Sequence, residues 1–154
     1  MIKLSRMADY GVLLMTELAR NQDNLRTASG LSASTSLPMP TVSKVLKLLA
    51  HAGLLESQRG AQGGYALAHA VERITVADII GAVEGPIALT DCLDDDGAMC
   101  EIEALCPTRT NWSRINDVMN EALGRVTLAE MALPPVDFDQ MFPVVSPTED
   151  GVSP

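Results

Sequence analysis

The stretch Pro40-Thr41-Val42-Ser43-Lys44-Val45-Leu46-Lys47-Leu48-Leu49-Ala50-His51-Ala52-Gly53 decides how the rest of the chain is read. Val42, Val45, Leu46, Leu48 and Leu49 recur at helical spacing and define one apolar stripe. Thr41, Ser43, Lys44 and Lys47 fall on the other side and make a polar, cationic face. Pro40 suits a first helical position, where its missing amide costs nothing. Gly53 suits a left-handed cap, because it takes positive φ without a Cβ penalty. The stretch predicts a helix over about 40–52.

Working outward, Leu4, Met7, Val12, Met15 and Leu18 predict a helix over 4–20, started by Ser5 or an earlier residue and ended by the polar run 21–24. Thr27 precedes a short helix near 28–35, which Ser29, Gly30, Ser32 and Ser34 make weak by propensity, so packing must hold it. Leu37-Pro38-Met39-Pro40 cannot continue that helix, since proline lacks the amide donor and clashes with the preceding turn. On the far side, residues 54–57 and 65–68 are short extended runs around Gln58-Arg59-Gly60-Ala61-Gln62-Gly63-Gly64, which predicts a hairpin with a glycine-rich tip. A further helix is expected over 74–83, opened by Thr75 with Asp78 three residues on and stopped by Gly85-Pro86.

A long helix is expected from about Thr110 to Met131, with Trp112, Ile115, Val118, Met119, Ala122, Val126 and Ala129 on one stripe. A second copy of the chain is the simplest cover for that stripe. Beyond Leu133, prolines 134, 135, 143, 147 and 154 predict a disordered tail. Helix, short helix, turn, cationic helix and glycine-tipped hairpin is the order of a winged helix-turn-helix. The expected fold is mostly α with a small β-hairpin wing and a long dimerisation helix. It divides into a DNA-binding domain over 1–84, a cysteine loop over 85–109, the dimerisation helix over 110–133 and the tail over 134–154.

The net charge of −9 conceals a segregation. Residues 1–73 carry 8 Lys/Arg against 5 Asp/Glu, net +3, whereas residues 74–154 carry 3 against 15, net −12. Nucleic-acid binding depends on the local face presented to phosphates, so the basic first half permits a DNA-binding module. Aromatics at 3% argue against a base-stacking platform for single strands. No run approaches the ~20 apolar residues of a membrane span, and the N-terminus runs into a sequence with charges every few residues, which argues against a secretory leader. An odd count of three cysteines points away from a disulfide framework and toward a reducing cytoplasm. No base, nucleophile and orienting group converge, so an enzyme is not expected.

In that frame the first turns of the cationic helix enter the major groove of double-stranded operator DNA, where Pro40, Thr41, Ser43 and Lys44 meet base edges and phosphates. Lys47 reaches the backbone further along, and Arg59 at the hairpin tip reaches the minor groove. An isolated helix of this kind would more simply be a solvated amphipathic face, and the order of five elements decides for DNA. Cys92, Cys100 and Cys106 are separated by seven and then five residues, which is not the spacing of zinc ribbons or redox dithiols. Three thiols in a short polar stretch leave open a metal or cluster site, a thiol redox switch, or loop thiols without a role. Asp9 reads as a solvated residue or as one salt-bridged to Arg6 or a partner chain.

The motifs Pro40-Thr-Val-Ser-Lys-Val-Leu-Lys-Leu-Leu, His51-Ala-Gly-Leu-Leu-Glu-Ser-Gln-Arg-Gly, Gly63-Gly-Tyr-Ala-Leu-Ala and Ile74-Thr-Val-Ala-Asp-Ile-Ile resemble the Rrf2 family of bacterial winged-helix regulators. The cysteine loop followed by Cys106-Pro-Thr-Arg-Thr-Asn-Trp112 resembles the branch that regulates the SUF iron–sulfur assembly operon. The resemblance spans residue 1 to about 133 and implies a homodimeric repressor of cluster-assembly genes. It also implies an iron–sulfur cluster on Cys92, Cys100 and Cys106, [2Fe–2S] in preference to [4Fe–4S]. Where some members carry a histidine three residues after the last cysteine, this chain has Arg109, which cannot ligate. Other members use an acidic residue of the first helix donated by the partner subunit, and Asp9 falls at that position. The alternatives are a thiol- or nitric-oxide-responsive repressor without a stable cluster, and a cluster carrier that does not bind DNA.

Overall fold

The computed structural model describes residues 3–22, 24–60, 63–93 and 106–133. Six helices and one hairpin are built from them: α1 (Arg6–Ala19), α2 (Ala28–Thr35), α3 (Met39–His51), β1 (Leu55–Gln58), β2 (Gly64–Leu67), α4 (Val76–Glu84), α5 (Arg109–Arg125) and α6 (Leu128–Ala132). Single 3-10 turns at Val71–Arg73 and Asp91–Leu93 precede α4 and follow it. The expected order of elements holds, with ends displaced by a residue or two. Residues 94–105 and the tail 134–154 lie outside the described residues, as do Ala61 and Gln62 at the wing tip.

Local chemistry sets the helix starts. The Ser5 hydroxyl accepts from the Met7 and Ala8 amides at 3.1 Å each and opens α1. Thr27 caps α2 through the Gly30 amide at 3.0 Å. Thr75 and Asp78 form a reciprocal capping box at α4, so the helix starts at Val76 and Ile74 lies before it as a fully buried residue. The weak α2 buries only Leu31 in full. Its hydroxyls compensate: Ser32 donates to the Leu37 carbonyl and Thr35 to the Leu31 carbonyl, each at 2.6 Å.

One core holds these elements together. Leu14 and Met15 of α1, Leu31 of α2, and Val42, Val45, Leu46 and Leu49 of α3 are fully buried, as are Ile79 of α4 and Leu128 of α6. Burying each such side chain is worth about 1.5–3 kcal/mol. At the α1–α4 crossing Gly11 permits the approach, since a Cβ there would sit 3.0 Å from Val83 Cγ2 and 3.3 Å from Ile79 Cγ2. A smaller apolar cluster of Ala8, Val76 and Ile80, with Ile87 and Leu123 against it, joins α1 and α4 to α5.

The long helix expected over 110–131 is two helices. Alpha-helical hydrogen bonding stops at Arg125, Val126 turns extended, and Thr127 caps α6 in a second capping box with Glu130. The break lets the chain pair with residues before α4: the Val76 amide donates to the Val126 carbonyl at 2.9 Å, and the Leu128 amide to the Ile74 carbonyl at 2.7 Å. Leu128 then enters the core at zero exposure. The signal was present in Thr127-Leu-Ala-Glu130, a cap sequence that the apolar stripe concealed.

Two outcomes follow for stability. Leu128→Ala leaves a cavity among α1, α6 and the turn at Val71–Arg73, and is expected to lower unfolding free energy by about 2–5 kcal/mol in urea titration. Gly64→Ala drives a Cβ to 2.9 Å from the Arg26 carbonyl oxygen. It is expected to cost about 1–3 kcal/mol and to speed hydrogen exchange at the Arg26 and Tyr65 amides, which bond across that contact.

Candidate functional site

The geometry of α3 follows from its buried stripe. With Val42, Val45, Leu46 and Leu49 in the core, Lys44 and Lys47 are exposed on the opposite face. Pro40 is exposed at the helix start, and Thr41 and Ser43 are half-buried beside it. Met39, which carries no charge or hydroxyl to mark it in the sequence, is 43% exposed at the first helical position. The turn into α3 passes through Ser36 in the left-handed conformation, φ 58°. No side chain caps the first turn of α3, unlike α1, α2, α4 and α6.

The wing pairs Leu55 with Leu67, Glu56 with Ala66, Ser57 with Tyr65 and Gln58 with Gly64. Arg59 is exposed just past β1, where the chain leaves the sheet for the tip. Gly60 takes φ 120°, and a Cβ at Gly63 would stand 2.3 Å from the Gln58 carbonyl oxygen, so the turn requires glycine there. Arg26 adds an isolated antiparallel bridge to β2 at Tyr65, which no periodic pattern marks. Its amide donates to the Tyr65 carbonyl at 3.0 Å, and the Tyr65 amide donates back at 2.9 Å. The Arg26 guanidinium meets Glu17 Oε1 and Ser34 Oγ, each at 3.4 Å, tying the wing base to α1 and α2.

Of the three cysteines the structure describes two. Cys92 is half-buried in the turn Asp91–Leu93, packed beside α5, with Sγ 3.2 Å from Thr90 Oγ1. Cys106 is half-buried ahead of α5, with Sγ 3.3 Å from Thr108 Oγ1. The hydrogen bond from the Thr108 side chain, followed by that from its backbone amide, holds the Cys106 thiol below its ordinary pKa. Cys100 lies outside the described residues. Asp9 is exposed on α1. Among the described residues no three Cys, His, Asp or Glu side chains converge as metal ligands, so Asp9 does not join Cys92 and Cys106 within one chain. As a donor set, two partly accessible thiols with hydroxyl partners fit a thiolate-bound iron–sulfur group in ligand type.

Comparison with known proteins agrees with this architecture. Residues 4–133 match the family model Rrf2, described as an iron-dependent transcriptional regulator. The chain is 33% identical over 132 residues to the HTH-type transcriptional regulator CymR of Bacillus subtilis, covering 85% of this chain and 90% of that one. It is 28% identical over 131 residues to the HTH-type transcriptional regulator IscR of Yersinia enterocolitica, covering 84% and 79%. Among solved structures, CymR (YrzC), the global cysteine regulator of B. subtilis, superposes with TM-score 0.67 at 33% identity, over 86% of this chain and 97% of that one. T. potens IscR superposes with TM-score 0.65 at 30% identity, over 84% and 85%. No described helix is long and apolar enough to cross a membrane. The chain therefore belongs to the Rrf2 family of winged-helix, DNA-binding transcriptional regulators, and its role is regulation rather than catalysis.

Proposed function

We propose that the chain acts as a homodimeric repressor of iron–sulfur assembly genes, with α3 and the wing on operator DNA and the cysteines as the controlling site. The observation that carries the DNA half is the outward face of α3, where Lys44 and Lys47 stand exposed beside Pro40, Thr41 and Ser43. Lys44 and the hydroxyls of Thr41 and Ser43 read base edges, and Lys47 neutralises a phosphate. Arg59 reaches the minor groove from the wing. A second copy covers the apolar face of α5, on which Trp112, Ile115 and Val118 are 39%, 46% and 65% exposed.

Cys92, Cys100 and Cys106 hold the iron–sulfur cluster, [2Fe–2S] rather than [4Fe–4S], with Asp9 of the partner subunit supplying an oxygen ligand. The family description as iron-dependent and the likeness to IscR support this reading. A cluster bound there supplies a link between the cysteines that oxidants or iron shortage remove. A second reading is a thiol-responsive repressor without a cluster. It is favoured by the partial exposure of Cys92 and Cys106 and by likeness to CymR, a global cysteine regulator.

Anaerobic purification followed by a visible spectrum and iron and sulfide counts separates the two. Brown protein with stoichiometric sulfide is expected, and Cys92→Ala is expected to abolish the absorbance. Colourless wild-type protein that still shifts its own upstream DNA in a gel establishes the thiol reading instead. For the interface, Lys44→Ala is expected to weaken operator binding by about 1–3 kcal/mol. Affinity unchanged at moderate salt would remove Lys44 from the contact.

A further inference from the structure

One polar side chain of α5 is engaged in a way the helix itself does not require. Asn116 is half-buried on α5, and its Nδ2 donates to the Ile87 carbonyl at 2.9 Å. Its Oδ1 accepts from the Leu89 amide at 3.0 Å. One side-chain amide thus satisfies the carbonyl of one residue and the amide two positions on, the pattern a neighbouring strand would supply. Ile87 packs on its apolar side against the cluster of Ala8, Val76 and Ile80, so the segment is held from both sides.

That segment leads directly to a cysteine. Thr90 follows Leu89; its hydroxyl lies 3.2 Å from Cys92 Sγ, and its carbonyl accepts from the Leu93 amide at 2.9 Å. Hydrogen bonds therefore run from α5 through residues 87–90 to the Cys92 thiol. We propose that Asn116 is a positioning residue that locks the Cys92 segment onto α5 and thereby sets the exposure of that thiol. The functional weight of this lock rests on the reading of the cysteines as the controlling site. The lock itself does not. Any ligand or oxidant that moves Cys92 works against two hydrogen bonds anchored in α5. An aspartate at 116 keeps the shape and the acceptor for Leu89, but sets a carboxylate against the Ile87 carbonyl.

The test uses the full chain with Asn116→Ala and Asn116→Asp. Two readouts are followed: hydrogen exchange at the Leu89 amide, and the iodoacetamide alkylation rate of Cys92, mapped by peptide mass with Cys106 as internal reference. Losing two ordinary hydrogen bonds is expected to raise both rates about tenfold in Asn116→Ala. Asn116→Asp keeps the acceptor for Leu89 and loses only the donor to Ile87, so it should raise Cys92 alkylation by less than Asn116→Ala does, and Cys106 should stay within about twofold of wild type. Rates at Leu89 and Cys92 indistinguishable from wild type in both variants overturn the lock. So does an equal rise at Cys106, which would mark general loosening. Should the alanine variant fail to fold, the near-isosteric Asn116→Asp decides alone through Cys92 alkylation, a rate equal to wild type overturning the lock. The functional reading is tested separately, on wild-type protein alkylated at Cys92. Operator affinity indifferent to that modification overturns the cysteine-controlled reading, while Leu89 exchange still decides the lock.

Discussion

Everything in the N-terminal half depends on the burial of one stripe of α3. Val42, Val45, Leu46 and Leu49 have no solvent exposure, and they meet side chains from α1 and α2 in the same core. A helix has no freedom to rotate about its axis once four such positions are committed, because a rotation of one residue would carry an apolar side chain into water and a lysine into the core. The first costs about 1.5–3 kcal/mol per side chain and the second more. The direction in which Lys44 and Lys47 point is therefore a packing property before it is an electrostatic one. The same core receives Leu128 from the start of α6, so residues after α5 help to hold a helix that lies some eighty residues earlier in sequence.

The wing obeys a different constraint. A two-stranded hairpin is marginal in water, and this one has only four residues in each strand. Its independence is limited by Arg26, which bonds Tyr65 through both backbone groups while its guanidinium meets Glu17 and Ser34. Arg26 thereby spends its charge inside the fold, whereas Arg59, Lys44 and Lys47 keep theirs at the surface. Segregation of charge along the chain matters here: the net of −12 carried by residues 74–154 belongs to the part that follows the wing.

How much of this the sequence showed divides by range. Features written in adjacent residues were readable: Ser5 as a cap, Thr75 with Asp78 as a capping box, Gly53 in the left-handed region, and α2 at its observed bounds. The outer face of α3 was readable too, because period 3.6 and charge agreed. Features made by single residues across long separations were not. Arg26 pairing with Tyr65 leaves no periodic trace, and neither does Asn116 reaching Ile87 and Leu89. The break after Arg125 is an intermediate case, in which a cap motif and an apolar stripe overlapped and the stripe was given the weight. Tertiary pairing of residues 126–128 with 74–76 decided the matter, since it buries Leu128 and satisfies backbone groups on both segments. Cys92 and Cys106 were readable as residues, but their threonine partners were not.

The break gives α5 a mechanical character that one long helix would lack. Its 17 residues span about 25 Å at 1.5 Å per residue. One end begins at Arg109, three residues after Cys106, and the other is anchored within three residues by Leu128 in the core that aims α3. Between them Asn116 grips the segment carrying Cys92, and Leu123 packs toward α4. Helix α5 is thus joined at its start and middle to the segments that carry Cys106 and Cys92, and just past its end to the core that holds α3, so one element connects all three. An uninterrupted helix over 110–131 would have carried Leu128 past that core instead of into it. The exposed apolar face of α5 adds a third partner to the same element. In the proposed homodimer, a second copy on that face would lie against the same helix that Asn116 ties to the Cys92 segment.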